Sequence, residues 1–493
     1  MVKYYLCIFF LILFKVFLTP AQAKEKQRVV ILTDIGVQDM KDQKDRDDIQ
    51  SLVRLLVYTN DLDIEGLIAT KSRKNIVDMH DSNNNIIDVF PETIIDIVKA
   101  YGKVHQNLIK HDPDYPSEAY LLSIIKPGNP VKDVPFGRGN DMNGVGAGKN
   151  TPASDHIISV LEKQDPRPVW FCVWGKAIDL AQALWDIHDT KNQEELKTII
   201  SKIRVYDIAG QDATGGWIAH TFPDIFWIRS FQQFKGFGDT KLIGNDEIIT
   251  DKWADKHIRS HGPLSEKYIV NHKTKRTGGF HFEGDTPSFM YLVNRGLSDP
   301  EKPHYGSWGG RFTKEKVKNV LCRWSPEVEK QFFDFWMYAE AKDSWQYQDT
   351  TYQDNVLAPI ARWREDYQND FAARMDWCIR SYKEANHYPV AVVNGDKTFS
   401  ILELSIKCGE MAVLNAEQSY DADGDETAFY WYRYPEPGTY NGNLQLKNNH
   451  SNKIEMKIPG GMQGKNVHVI LEVTDKGIPP LKSYRRIILT GIE

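Results

Sequence analysis

Residues 28–34, RVVILTD, restrict the fold more than any other segment. The run is apolar, rich in β-branched side chains, and ends on an aspartate. A strand with one wet face alternates polar and apolar residues. This one does not, so both of its faces must be covered. Residues 48–58, DIQSLVRLLVY, then place Ile49, Leu52, Val53, Leu56 and Val57 on one helical face. Residues 63–69, DIEGLIA, read as a second strand. Strand, helix and strand within about 40 residues make a βαβ unit. The pattern recurs as PVWFCVWG at 168–175, DLAQALWDI at 179–187 and KIRVYDIAG at 202–210. The expectation is an α/β domain over 24–386, with a mainly parallel sheet flanked by helices.

The pattern changes at Asn386-His387-Tyr388-Pro389. Short alternating runs follow (VAVV, EMAVLNA, TAFYWYRY, KIEMKI, VHVILEVTD, YRRIILT), separated by turn clusters such as Asp423-Gly424-Asp425 and Pro459-Gly460-Gly461. They predict a small all-β, antiparallel, immunoglobulin-like sandwich over 387–493. At the other end, residues 1–23 carry Lys3, an apolar stretch and the small-residue site Ala21-Gln22-Ala23, the pattern of a cleaved secretory signal peptide. The alternative is an uncleaved anchor, but Lys15 cuts the apolar run short of a membrane span. The mature chain is therefore expected to be secreted or periplasmic, with no transmembrane segment. Cys7 leaves with the signal. Cys172, Cys322, Cys378 and Cys408 show no zinc spacing and allow zero to two disulfides. Lys and Arg number 61 against 67 Asp and Glu, so no positive excess exists to neutralise a nucleic-acid backbone.

The strongest chemical signal is Asp34 at the end of the first strand, followed by a loop to Asp45-Arg46-Asp47-Asp48 at the next helix start. Ligands of α/β sheets bind outside the carboxyl ends of the strands. Carboxylates gathered there repel one another unless a cation or protons compensate. Hard oxygen donors of this kind suit Ca²⁺ or Mg²⁺. The plainer reading is that Asp47 and Asp48 favour a helix N-terminus, while Asp39, Asp42 and Asp45 form a solvated loop. Residues 78–85 read as a polar loop.

Twelve tryptophans crowd the first domain. Most must be core, Trp170 and Trp174 among them. Trp308, in Gly306-Ser307-Trp308-Gly309-Gly310-Arg311, is the candidate for stacking on a sugar, because a glycine-flanked loop would expose it. Asp212, in a Gly-rich loop after a strand end, is a second candidate for substrate contact; the alternative is a plain turn. Gly144 to Lys149 lacks phosphate-loop spacing, and Ser154 with His156 makes no nucleophile elbow. In the small domain, Asp421-Ala422-Asp423-Gly424-Asp425 offers oxygens for Ca²⁺ or forms an ordinary Asp-Gly turn. Trp431, Tyr432 and Tyr434 alternate between a core face and an outward face that could serve as a sticky platform.

LTDIG followed by DRDDIQSLVRLLVYTNDLDIEGLIAT resembles the opening of a nucleoside-hydrolase-like domain. The segments RPVWFCVWGKAIDLAQALW, RVYDIAGQDATGGWIAHTFPDIFWI, EGDTPSFMYLVNRGLSDPEKPHYGSWGGRF and NDFAARMDWC are similar to a secreted family described as cellulose-binding proteins with such a domain. NHYPVAVVNGD, DADGDE and VTDKGIPPLKSYRR resemble that family's C-terminal module. The resemblance spans nearly the whole mature chain. It implies that Asp34, Asp47, Asp48 and Asp285 hold Ca²⁺ and that Asp34 also takes the proton of an attacking water. The implied activity is Ca²⁺-dependent hydrolysis of an N-glycosyl or related bond. The alternative is a non-catalytic binder of cellulose or another polysaccharide, and a third reading is a structural surface protein. The partner is then a carbohydrate or a nucleoside-like small molecule, and the oligomeric state stays open.

Three departures stand out. Asp34 and Asp47 are 13 positions apart, so the insertion VQDMKDQK must loop out, which costs little entropy. Gly175-Lys176-Ala177-Ile178-Asp179 lacks an asparagine usual in relatives, and Lys176 could fill its space. Gly284 precedes Asp285 where the hydrolases often carry a histidine, which leaves His281 and Glu283 as nearby candidates, with Glu283 for substrate binding.

Overall fold

In the computed structural model, the described residues are 25–36, 47–70, 79–80, 86–87, 89–130, 144–238, 243–269, 283–317 and 335–493. The signal segment, the inserted loop with Asp39, Asp42 and Asp45, His281 and Cys322 lie outside the described residues. So does most of the polar stretch 78–85, of which Met79–His80 pair antiparallel with Ile86–Ile87.

Eight strands form one sheet: β1 (Gln27–Thr33), β2 (Leu62–Ala69), β3 (Ile125–Pro127), β4 (Val169–Val173), β5 (Ile203–Ile208), β6 (Phe226–Ser230), β7 (Phe312–Val317) and β8 (Phe335–Glu340). Their order is β3-β2-β1-β4-β5-β6-β8-β7. The first six run parallel, β8 continues parallel to β6, and β7 closes the edge antiparallel to β8. Val29 and Ile31 enter one core layer, while Val30 and Leu32 enter the other. That two-sided burial is why β1 shows no polar alternation. Helix α1 (Asp47–Leu56) carries the chain from β1 towards β2, and every residue in it from Asp48 onward is buried.

The C-terminal strands are β9 (Leu402–Lys407), β10 (Met411–Asn415), β11 (Ala428–Tyr434), β12 (Lys453–Lys457), β13 (Asn466–Thr474) and β14 (Lys482–Ile492). β9-β14-β13-β11 form one sheet and β10-β12 pair beside it, around a separate core that includes Trp431, Leu471, Ile487 and Leu489. One pairing departs from the antiparallel expectation, because β9 runs parallel to β14. These two strands lie at opposite ends of the module's sequence, so no tight hairpin dictates their relative direction.

The module docks on the first domain through β11 and β14. Tyr484 and Arg486 donate backbone N–H groups to the carbonyls of Arg295 (2.8 Å) and Gly296 (3.0 Å). Trp363 stands edge-on to Tyr434 and Tyr484, with centroids 6.1 and 5.8 Å away. Tyr434 donates its hydroxyl to Asp343 Oδ2 at 2.7 Å. Trp431 is core, as its alternation suggests, but Tyr434 is buried against the first domain rather than displayed on an outward platform.

Candidate metal and carbohydrate site

At the carboxyl edge of the sheet, connections turn one way from β1 to β2 and the other way to β4. The crevice at such a switch point is where α/β sheets hold ligands. β1 delivers Asp34 there, 3% exposed. The backbone after β4 crosses directly over it. A Cβ on Gly175 would lie 2.6 Å from Asp34 Cβ, so only glycine permits this approach.

Two further elements converge on the crevice. Thr33, the last residue of β1, donates its hydroxyl to Asp48 Oδ1 in the first turn of α1 and accepts the Ile35 N–H at 3.1 Å. Asp285 precedes the short helix Thr286–Met290. That helix is tied to α1 by Thr286 Oγ1 to Ser51 Oγ (3.0 Å) and to the end of β4 by Trp174 Nε1 to Ser288 Oγ (2.8 Å). The outcome is that one carboxylate oxygen from each of Asp47, Asp48 and Asp285 lies within 4.8 Å of the other two. Asp34 is not a member of that trio. The donor chemistry, oxygen only and anionic, fits a hard divalent cation such as Ca²⁺ or Mg²⁺.

After β5, Asp212 caps the helix Ala213–Thr221, accepting from Thr214 Oγ1 at 2.7 Å and Gly215 N at 3.4 Å. Burial pushes its carboxyl pKa up, and the Lys176 charge opposes that rise. Lys176 is itself buried. Asp179, which sequence reading noted only as part of that departure, proves to be a junction. Its Oδ1 accepts from Asn129 N (2.9 Å), beyond β3, and from Thr151 Oγ1 (3.0 Å). Its one legible signal is its place in the first turn of the helix after β4.

Burial raises the Asp179 carboxyl pKa to about 6, and repulsion from Asp212 adds to this. The unfolded value is about 3.9, so the folded state binds the proton more tightly. Stability is therefore expected to fall as pH rises from about 4 to about 6, by an amount of order 3 kcal/mol, and then to level. Asp179→Asn should flatten that slope in denaturant unfolding curves taken across this range. A slope that the substitution leaves unchanged would assign it to other groups.

Two expected substrate contacts are used otherwise. Glu283 is fully buried and forks onto Arg54, with Nε to Oε2 at 2.6 Å and Nη2 to Oε1 at 3.0 Å, and it also accepts from Tyr268 Oη and Thr286 Oγ1. Trp308 is a correction: it is 3% exposed, not displayed by its glycines. Its indole meets Tyr484 of the C-terminal module edge-on at 6.3 Å, and Nε1 donates to the Tyr484 hydroxyl at 3.4 Å. The neighbouring glycine serves close approach instead, since a Cβ on Gly309 would lie 2.2 Å from Pro287 O.

Among the described residues, Cys172, Cys378 and Cys408 are free, and no helix is long and apolar enough to cross a membrane.

Residues 28–312 match the family model for the nucleoside hydrolase-like domain of cellulose-binding Sde182, and residues 411–491 match the C-terminal domain of cellulose-binding protein Sde0182. The chain is similar to a nucleoside hydrolase-related hypothetical protein from Saccharophagus degradans, described as associated with carbohydrate metabolism. Identity is 35% over 95% of this chain and 100% of that one, with a TM-score of 0.76. A PKD domain from KIAA 1837 protein matches at 17% identity over 19% of this chain and 82% of that one, with a TM-score of 0.15. No curated protein matches the chain. The chain belongs to the cellulose-binding Sde182 family, in which a nucleoside hydrolase-like domain is followed by the family's own C-terminal domain.

Proposed function

We propose that this secreted protein binds carbohydrate in the crevice at the carboxyl edge of its large sheet, through a divalent-cation site that grips sugar hydroxyls. The convergence of Asp47, Asp48 and Asp285 carries the reading. The family's description as cellulose-binding supports a carbohydrate ligand. The signal-like residues 1–23 support export. Asp47, Asp48 and Asp285 would hold Ca²⁺, and the ion would supply a hard Lewis acid for vicinal hydroxyls. Asp34 and Asp212 are the chain's own acceptors along the segment that follows β4, against Gly175 and Ala177. Asp34 lies under the Gly175 backbone, and Lys176 tempers the charge of Asp212.

The second reading is hydrolysis of an N-glycosyl bond, with Asp34 accepting the proton of a water. The same acidic trio favours it. Against it stands the place of Asp34 outside the trio.

One experiment separates the readings. Wild type and Asp285→Asn are incubated with insoluble cellulose, and separately with cello-oligosaccharides and nucleosides, in Ca²⁺ or in chelator. Binding predicts retention on cellulose in Ca²⁺, loss of retention in chelator, at least about tenfold weaker retention for the variant, and no released product. Retention that ignores both chelator and variant would overturn the cation-mediated site. Steady, Ca²⁺-dependent release of free base or sugar would transfer the case to hydrolysis.

A further inference from the structure

A different joint in the molecule bears the marks of a second cation site, independent of the carbohydrate reading. It lies where the chain leaves the first domain. The carbonyl of Asn386 accepts from Trp377 Nε1 at 2.9 Å, at the end of the helix Arg364–Trp377. Beyond it, Pro389 pairs with Asp421 and Val390 with Tyr420, so the linker runs alongside the acidic loop of the C-terminal module. His387 fastens the same loop, donating its N–H to Asp423 Oδ2 at 2.7 Å and placing Nδ1 3.0 Å from the Asp423 carboxylate. On its other side, Asn386 Nδ2 donates to both oxygens of Asp475 (3.1 Å each) and to Pro479 O (2.8 Å). Three segments, 386–389, 421–425 and 475–481, therefore meet in one place.

Oxygens outnumber donors there. Asn386 is 6% exposed, and its Oδ1 has no hydrogen-bond partner. The buried Oδ2 of Asp421 has none either. Its Oδ1, by contrast, accepts the backbone N–H groups of Asp423 (2.9 Å) and Asp425 (3.1 Å). Buried acceptors in native proteins are almost always satisfied by a donor, a water or an ion. Asp475 is buried as well, with Oδ1 taking the N–H groups of Gly477 (2.9 Å) and Leu481 (3.0 Å). Burial raises its pKa, and the charge of Asp421 adds to this. Two carboxylates thus bear on one another inside a joint whose nearby histidine is already engaged by Asp423.

We propose that Asp421, Asp475 and the amide oxygen of Asn386 form a second divalent-cation site, one that locks the interdomain linker to the C-terminal module. The donors are oxygens only, two of them anionic, which selects a hard ion of the Ca²⁺ class. The ion satisfies the two orphaned oxygens and cancels the repulsion between the carboxylates.

The test uses the full chain carrying Asp285→Asn, which weakens the crevice trio and leaves the joint intact. Calorimetric titration with Ca²⁺ should detect a site that survives in this background, and the melting temperature should rise with Ca²⁺. Adding Asp421→Asn should weaken that site at least tenfold and remove the rise in melting temperature. Adding Glu426→Gln instead, in the same loop but exposed and paired with Lys476 at 2.7 Å, should change neither. A second measurement guards against misfolding of the Asp421 variant. Tb³⁺ bound in the Asp285→Asn chain should give emission excited through tryptophan, Trp377 being the indole bonded to Asn386, and Ca²⁺ should displace it. The proposal falls if the Asp285→Asn chain binds no Ca²⁺ and gives no Tb³⁺ emission. It falls equally if Asp421→Asn and Glu426→Gln weaken binding alike, which would mean diffuse attraction to an acidic loop.

Discussion

Arg54→Ala is expected to destabilise the first domain by about 3–5 kcal/mol, the usual cost of stripping one partner from a buried ion pair. Arg54 sits on α1, a helix buried nearly all round, and no part of its side chain reaches solvent. Its guanidinium forks onto Glu283, donates to Tyr367 O at 3.1 Å, and lies 3.9 Å above the Phe371 ring. With alanine there, the Glu283 carboxylate stays buried without its counter-ion, and a cavity opens beneath Phe371. Urea unfolding at neutral pH checks this. Arg54→Met combined with Glu283→Gln should recover much of the loss, because neither buried charge is then left alone. A loss under about 1 kcal/mol for Arg54→Ala would show that the pair is not what holds α1 to the Asp285 segment.

The second large effect concerns the crevice. In a chain already carrying Asp421→Asn, so that only the crevice trio is read, Asp48→Ala together with Asp285→Ala is expected to abolish Ca²⁺ binding. Affinity at oxygen sites follows the number of charged ligands, and two of three carboxylates would be gone. Removing a compensating ion from clustered carboxylates destabilises the fold, whereas removing the carboxylates relieves their repulsion. The double variant should therefore unfold at the same temperature with and without chelator, while its parent loses stability in chelator. Calorimetric titration and thermal scans in Ca²⁺ and in chelator measure both effects. Undiminished Ca²⁺ uptake by the double variant would place the ion elsewhere.

What was legible in the sequence follows periodicity. β1, α1 and β2 were readable because their burial is local: each strand residue between two layers must be apolar, and one face of α1 repeats at helical spacing. The fate of Asp47, Asp48 and Asp285 was visible only through resemblance, since nothing in the 236 positions between Asp48 and Asp285 announces that they meet. Trp308 shows the opposite limit. Flanking glycines mark a loop, but its exposure is decided by Tyr484, far along the chain in another domain. Glu283 could not be separated from a ligand-binding acid without knowing that Arg54, on α1, faces it. The direction of β9 was likewise hidden, because its neighbour β14 lies at the far end of the module.

The seam made by Trp308, Trp363, Tyr434 and Tyr484 bears on how this polypeptide can be divided. A fragment beginning at the linker would carry naked aromatic rings on two strands, and the remainder would expose the indoles that those rings cover. Neither piece would be an inert truncation. The two halves are expected to melt as one cooperative unit, which a single calorimetric transition would check, and experiments that assign properties to an isolated half would be reading the stickiness of a cut surface.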